Sequence, residues 1–311
     1  MTRNKKSVIA GNKTLVRILR NWRLYFLLLV PIAWLAIFRY IPMVGISMAF
    51  TDYSIRRGLL GSKLVGFKYF AMFLNGANFK MLLTNTLYLS IYSLVAGFPI
   101  PIILAFALNE CRNLKARKFI QTVTFMPFFV SMIVLISIFS QIFHVHFGMV
   151  NVFLRSLGMQ PLNIIGTAPA FRHMYVWSGV WQSAGYNAVL YIAALSAIDP
   201  ELKEAATIDG ASRFQKVCHI DFPGITPTII ITLILALGGV MSVGFEKAYI
   251  MQTPANLFNS EIISTYVYKV GIQGSQFSFA AAIGVFNSVI NFVLIVFFNA
   301  VSKRVGENSL W

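Results

Sequence analysis

Three stretches bring chemistry-bearing residues close together, and each fails as a catalytic site on inspection. "GVMSVGFEK", Gly239 to Lys247, spaces two glycines as a phosphate-binding loop does, but Phe245 and Glu246 stand where Lys and Ser or Thr belong. His144 and His146 are a fragment of a metal site with no further ligands at a recognisable spacing, which leaves solvated loop histidines as the plainer reading. No nucleophile stands beside a base and an orienting group. The remaining polar stretch is "PELKEAATIDGASRFQKVCHIDFPGITP", Pro200 to Pro227, flanked on both sides by long apolar runs.

Those apolar runs set the class. Of 311 residues, 57% are hydrophobic and 12% charged, about half the charged share of an ordinary soluble domain. The apolar residues come in blocks of the length that crosses a bilayer as helix. An all-α polytopic membrane protein is expected, with six transmembrane helices near 24–50, 84–109, 119–143, 174–198, 225–251 and 278–302. Gly97, Pro99 and Pro101 predict a kink or local unwinding in the second. The chain divides into a basic tail (1–23), a membrane region (24–302) holding the polar loop (199–224), and a short C-terminal tail (303–311). No cleavable signal peptide is expected, because the chain is polar and basic up to Leu24.

The net charge of +16 suits the positive-inside rule, so nucleic acid is not an expected partner. With the N-terminus cytoplasmic, that side takes seven Lys and Arg from the tail, four from 112–118, three from the polar loop and two from the C-terminus. The opposite side takes five, two and one. This two-to-one excess places both termini and the polar loop in the cytoplasm. Cys111 and Cys218 then lie on the reducing side, where a structural disulfide is not expected.

Within the loop, Asp199 is a good N-cap, Pro200 suits the first helical position and Glu201 sits at the positive helix end. Gly210 stands where a helix ends in left-handed geometry. Ser212 and Gln215 have the spacing of a capping box. They predict a second short helix carrying Phe214, Val217 and Cys218 on one side and ended by Pro223. Two arms of roughly 15 Å are the result, more than a connection between spans requires.

"EAATIDGASRFQKVCHIDFP" resembles the EAA signature of permease subunits of bacterial ABC importers, with Glu204, Ala205, Ala206, Asp209, Gly210, Ala211, Ile220 and Pro223 at the motif positions. "FRYIPMVGISMAFTDY", "VGFKYF", "NTLYLS", "TYVYKVGI", "FSFAAAIGVFNSVINF" and "GENSLW" look like the carbohydrate-importer branch that handles complex polysaccharide fragments, alginate oligosaccharides among them. The resemblance implies a type I ABC importer fold in the bacterial inner membrane. It implies a non-enzymatic subunit with no cofactor of its own, ATP and Mg²⁺ belonging to a partner ATPase. The implied partners are a second, similar permease, two ATP-binding subunits, an extracytoplasmic solute-binding protein and membrane lipid. Residues 204–206 and 209–211 then form the coupling helix that meets the ATPase, Glu204 making a polar contact there and Asp209 holding the turn. The rival reading is an ATP-independent secondary transporter or channel, whose sign would be inverted repeats with paired broken helices.

Polar residues inside spans are pathway candidates: Trp181, Gln182, Asn187, Glu246, Asn287 and Asn291. Tyr186 and Trp181 offer faces for sugar rings, while Trp177 fits an outer aromatic belt. Asn287 and Asn291 either line the route or bond neighbouring helices. Glu246 and Lys247 can instead pair with a partner subunit's charges. Arg39, about 22 Å along the first span, fits snorkelling toward the outer interface. The outer loops 52–78 and 257–276 are candidates for the binding-protein contact.

Overall fold

The structure is a computed structural model that describes residues 20–164 and 167–305. Most of the N-terminal basic tail and the terminal "GENSLW" therefore lie outside the described residues. Helix α1 (Trp22–Leu35) continues through a wide π turn (Ala36–Tyr40), which holds Arg39, into a tight 3₁₀ run (Val44–Phe50). A small antiparallel ladder follows, β1 (Thr51–Asp52) on β2 (Lys63–Leu64). Then come α2 (Lys68–Leu74), α3 (Phe79–Gly97) and α4 (Pro99–Asn109). The predicted disturbance at Gly97 is confined to Phe98, which keeps helical dihedrals, so Phe79–Asn109 is one stretch of 31 residues.

Helices α5 (Leu114–Phe125) and α6 (Met132–Ile142) precede the short α7 (Met149–Ser156) and the 29-residue α8 (Ala168–Ser196). The loop helices are α9 (Pro200–Ile208) and α10 (Arg213–Lys216). Next are α11 (Phe222–Gly238), α12 (Phe245–Met251), α13 (Leu257–Ser260), α14 (Ile263–Tyr268) and α15 (Phe277–Val305). Helix α8 is the hub, packed on α3, α4 and α5. Its buried Phe171, Tyr175, Val176 and Val180 meet Leu89, Ala248 and Ile262, and further along Ala188, Tyr191 and Leu195 meet Ala105 and Ile225.

Four stretches are long and apolar enough to cross a membrane: Trp22–Phe50, Phe79–Asn109, Arg213–Gly238 and Phe277–Lys303. Two of the six expected spans are corrected. The third is not one helix, because Leu114–Phe129 and Met132–Ile142 meet at 105°. Pro127 tightens the chain into a 3₁₀ turn, Val130 is extended, and Ser131 caps a new helix by accepting from Val134 N. The fifth ends at Gly238 rather than running to Met251; residues 239–244 leave the helix and α12 resumes beyond them. The expected fourth span lies on α8, which is long enough at about 43 Å but too polar to count by the same criterion.

Breaks inside a membrane free backbone groups that lipid cannot satisfy, and here side chains from other helices take them. Gln182 Nε2 on α8 donates to Val130 O at 2.9 Å. Asn291 on α15 accepts from Met241 N at 3.0 Å through Oδ1, and its Nδ2 donates to Ser242 Oγ at 3.0 Å. Asn287, one turn earlier, donates to Met241 O at 3.3 Å. The two asparagines thus bond a neighbouring segment of the chain. Asn291→Ala strands the Met241 N–H, and a loss of about 1–3 kcal/mol is expected as a lower unfolding temperature in detergent. An unchanged midpoint would remove Asn291 from the role of holding this break.

Candidate functional site

The polar loop begins as its capping residues dictate. Asp199 accepts from Glu201 N at 3.0 Å, and Pro200 takes the first turn of α9. The helix ends in a Schellman pair: Ala211 N donates to Ala206 O at 2.9 Å and Gly210 N to Thr207 O at 3.2 Å. Gly210 sits at φ +78°, which a residue with a Cβ adopts only with strain. The Ser212–Gln215 capping box forms in both directions, at 3.3 and 2.8 Å. Lys216 Nζ then reaches back across the turn to Thr207 Oγ1 at 3.2 Å.

The second arm is not a separate helix ended by Pro223. Arg213–Gly238 is one helical stretch, with a wide π turn at Val217–Asp221. Pro223 stands just inside α11, where the wide turn accommodates its missing N–H. The loop is therefore one free-standing helix, α9, hung from the foot of a crossing helix.

A buried charge fixes that suspension. Asp221 is 0% exposed, and its carboxylate meets Lys203 Nζ of α9 at 2.6 Å. The other oxygen accepts from Asn109 Nδ2, at the end of α4, at 3.3 Å. One carboxylate thus ties the loop helix to two others. The opposite face of α9 is bare: Glu204, Ala205, Asp209 and Gly210 are exposed, Ala206 and Ala211 half-buried. Ile208 is 87% exposed and Phe214, on α10, 76%; Leu202 in the first turn of α9 is exposed too. The backbone pair and Lys216 hold the turn; among the described residues the Asp209 carboxylate has no hydrogen bond or ion pair.

The six pathway candidates do not converge. Gln182, Asn287 and Asn291 serve the two breaks described above. Trp181 is exposed on α8, edge-on to Phe139 at 5.7 Å. Asn187 lines a cavity of about 650 Å³ with Phe98, Phe125 and Thr232. Tyr186 in the same cavity is stacked on Phe128, with ring centroids 3.7 Å apart. Glu246 is exposed at the start of α12. His144 is stacked on Phe147 at 3.5 Å.

Two polar networks escaped the sequence reading. Arg172 lies 4.1 Å over the Tyr88 ring and donates to Asn85 Oδ1 at 2.9 Å and Asn259 Oδ1 at 3.3 Å. Tyr92 OH meets His173 Nδ1 at 2.8 Å and accepts from Trp177 Nε1 at 3.0 Å, so Trp177 has a specific partner beyond any aromatic belt. The available signal was spacing: Tyr88 and Tyr92, like His173 and Trp177, stand four residues apart on one helix face.

The two outer segments named as docking candidates are well tied. Ser278 Oγ donates to Thr51 O at 2.6 Å and accepts from Tyr53 N at 2.8 Å. Tyr69 OH donates to Asp52 at 2.5 Å. That bond holds the Asp52 carboxyl below its ordinary value and, with burial, pushes the Tyr69 phenol up to about 12. The tie is therefore present at neutral pH, weakens as pH falls through the lowered Asp52 value, and is broken when pH rises through the raised Tyr69 value. In 257–276, Glu261 pairs with Lys269 at 2.7 Å, and Ser260 to Ile263 are buried. Leu257, Phe258, Ile272 and residues 273–276 are the exposed part.

Lys203→Met leaves the Asp221 charge buried without its cation. A destabilisation of about 3 kcal/mol is expected, with much of it recovered in Lys203→Met/Asp221→Asn. Thermal unfolding of the purified protein checks it, and equal midpoints for all three proteins would show that the pair does not hold the loop.

Comparison with known proteins places this architecture. The family described as "Binding-protein-dependent transport system inner membrane component" matches residues 97–307. The polygalacturonan/rhamnogalacturonan transport system permease protein YteP of Bacillus subtilis is 36% identical over 299 residues, covering 96% of this chain and 93% of its own. Protein LplB of the same organism is 39% identical over 292 residues, 94% and 92% of the two chains. A crystal structure of a bacterial ABC transporter for import of the acidic polysaccharide alginate superposes with a TM-score of 0.87 at 35% identity, covering 94% of this chain and 99% of that one. The chain therefore belongs to the binding-protein-dependent inner membrane components, as a non-catalytic, multi-pass permease subunit of a bacterial carbohydrate ABC importer.

Proposed function

We propose that this permease carries fragments of an acidic polysaccharide, as half of a heterodimer with a similar second permease, and that α9 is the lever by which separate ATPase subunits drive it. The observation that carries the lever is α9 itself: capped at both ends, bare on one face, and anchored on the other by the buried Lys203–Asp221 pair. Leu202, Ile208 and Phe214 give that bare face an apolar contact surface, with Glu204 and Asp209 as its polar rim. ATP and Mg²⁺ belong to the ATPase. Closure of its two subunits moves α9 as a rigid body, and α11, continuous with the loop through the wide turn, carries the displacement into the membrane.

This reading counts six crossings, taking α8 as one and the bent pair α5–α6 as another. The Lys and Arg excess supports cytoplasmic termini. The exposed parts of 52–78 and 257–276 then face the solute-binding protein. The cargo class rests on relatives: one is described by polygalacturonan and rhamnogalacturonan, and two solved neighbours as an importer of the acidic polysaccharide alginate and as an alginate ABC transporter in complex with an alginate pentasaccharide-bound periplasmic protein.

The test is reconstitution in proteoliposomes with the second permease, the ATPase and the binding protein. ATP-dependent uptake of trigalacturonate or of a trimeric alginate fragment is expected. Uptake by this chain alone, without ATP, would overturn the proposal. Gly210→Val forces a β-branched residue to positive φ and is expected to cut coupled uptake about 100-fold while the complex still assembles; normal uptake would remove the turn from the coupling.

A further inference from the structure

The break beyond Gly238 also sets a charge where nothing among the described residues neutralises it. Lys247 is the third residue of α12, directly beyond the break, and is 4% exposed. Its ammonium donates to Tyr175 O of α8 at 2.5 Å and lies 4.9 Å from the Tyr175 ring centroid. Tyr175 is inside an unbroken helix, where its carbonyl already takes the regular backbone bond, so α8 does not need this contact. Among the described residues the ion pairs are Lys203–Asp221 and Lys269–Glu261, and neither involves Lys247. Two of its three N–H groups have no hydrogen-bond partner among those residues.

The ammonium opens on a cavity of about 280 Å³ where Ser93, Gln182 and Ser183 stand beside Gly179 and Tyr175, with Met132, Val176 and Val180 as its apolar wall. Gly179 makes the room: a Cβ there would stand 2.9 Å from Nζ. A second cavity of about 260 Å³, bounded by Ser90, Ser242 and Gly244, shares Ser93 and Tyr175 with the first. Hydroxyls and an amide gathered near a single cation, on a wall otherwise apolar at Met132, Val176, Val180 and Leu94, suit a carboxylated molecule that has both hydroxyl edges and apolar ring faces. A desolvated ammonium is costly unless an anion meets it, and one carbonyl supplies only a dipole.

We infer that Lys247 is the anchor of a carboxylate-binding niche in the wall of the translocation route, taking one uronate carboxylate of the cargo through its two open N–H groups. Ser93, Gln182 and Ser183 bond the adjoining hydroxyls. This rests on the reading that the cargo is an acidic oligosaccharide, and it gives that charge a receiving residue on the permease.

The complete importer, in nanodiscs with its binding protein, is held with trigalacturonate and a carbodiimide, which activates the carboxylate as an O-acylisourea. A lysine amine then displaces the urea to form the amide, at exposed lysines from solution and at a buried one only where the sugar is bound against it. Mass spectrometry is expected to find the sugar amide on Lys247, and to find none there with the fully methyl-esterified trimer or in Lys247→Arg. In proteoliposomes, Lys247→Met is expected to lower the ratio of trigalacturonate to methyl-ester uptake about tenfold or more, and Lys247→Arg to keep it within about threefold. A Lys247 amide to a carboxylate of the second permease, or an equal fall for both sugars, overturns the niche and leaves Lys247 a packing residue. Failure of the wild-type importer to take up trigalacturonate or an alginate trimer with ATP overturns the cargo reading itself, and the niche with it.

Discussion

In a bilayer every backbone N–H and C=O needs a partner within the protein, and the architecture of this permease follows from how it meets that demand where its helices stop. Two apolar stretches are interrupted, one at Val130 and one at 239–244. An unbroken helix would satisfy its own backbone; these cannot, so polar side chains are sent into the apolar interior to complete them. Gln182, Asn287 and Asn291 are placed by that need. The hub helix α8 is itself too polar to pass for an ordinary crossing, and its Gln182 completes the break at Val130, while Asn287 and Asn291 of α15 complete the other.

The foot of the molecule solves a different problem. The proposed lever has to be stiff where it meets the membrane and open toward its partner. Stiffness comes from caps at both ends of α9 and from one buried carboxylate that holds Lys203 and Asn109 together. The open face keeps Ile208 and Phe214 in solvent, where a monomer gains nothing from them. Apolar side chains on an otherwise polar helix make sense as half of an interface.

The loop was legible in the sequence because caps are local. Asp199, Gly210, Ser212 and Gln215 act on their nearest neighbours, and each did what its chemistry implies. The breaks were not legible, because hydropathy weighs side chains and is blind to the backbone. Met126 to Val130 and Gly239 to Gly244 are apolar or small, so both passed as helix interior; Pro127 beside Ser131, and the glycines at 238, 239 and 244, were the only marks. Pro223 misled in the other direction, since it begins α11 instead of ending a helix. The roles of Gln182, Asn287 and Asn291 depended on partners 46 to 52 residues away, and that of Asp221 on a partner 112 away. No local rule reaches so far.

The wide turn at Val217–Asp221 acts as a phase adjuster on the helix that leaves the loop. Each residue advances a helix by about 100°, and a π turn holds one residue more than an α turn. Shortening this segment by a single residue would keep the helix continuous yet rotate α10 and the loop by roughly a quarter of a circle relative to α11. Asp221 would then aim away from Lys203, and the bare face of α9 would point elsewhere, with every cap still formed. The direction in which α9 faces is thus written in the length of five residues as much as in the one carboxylate among them.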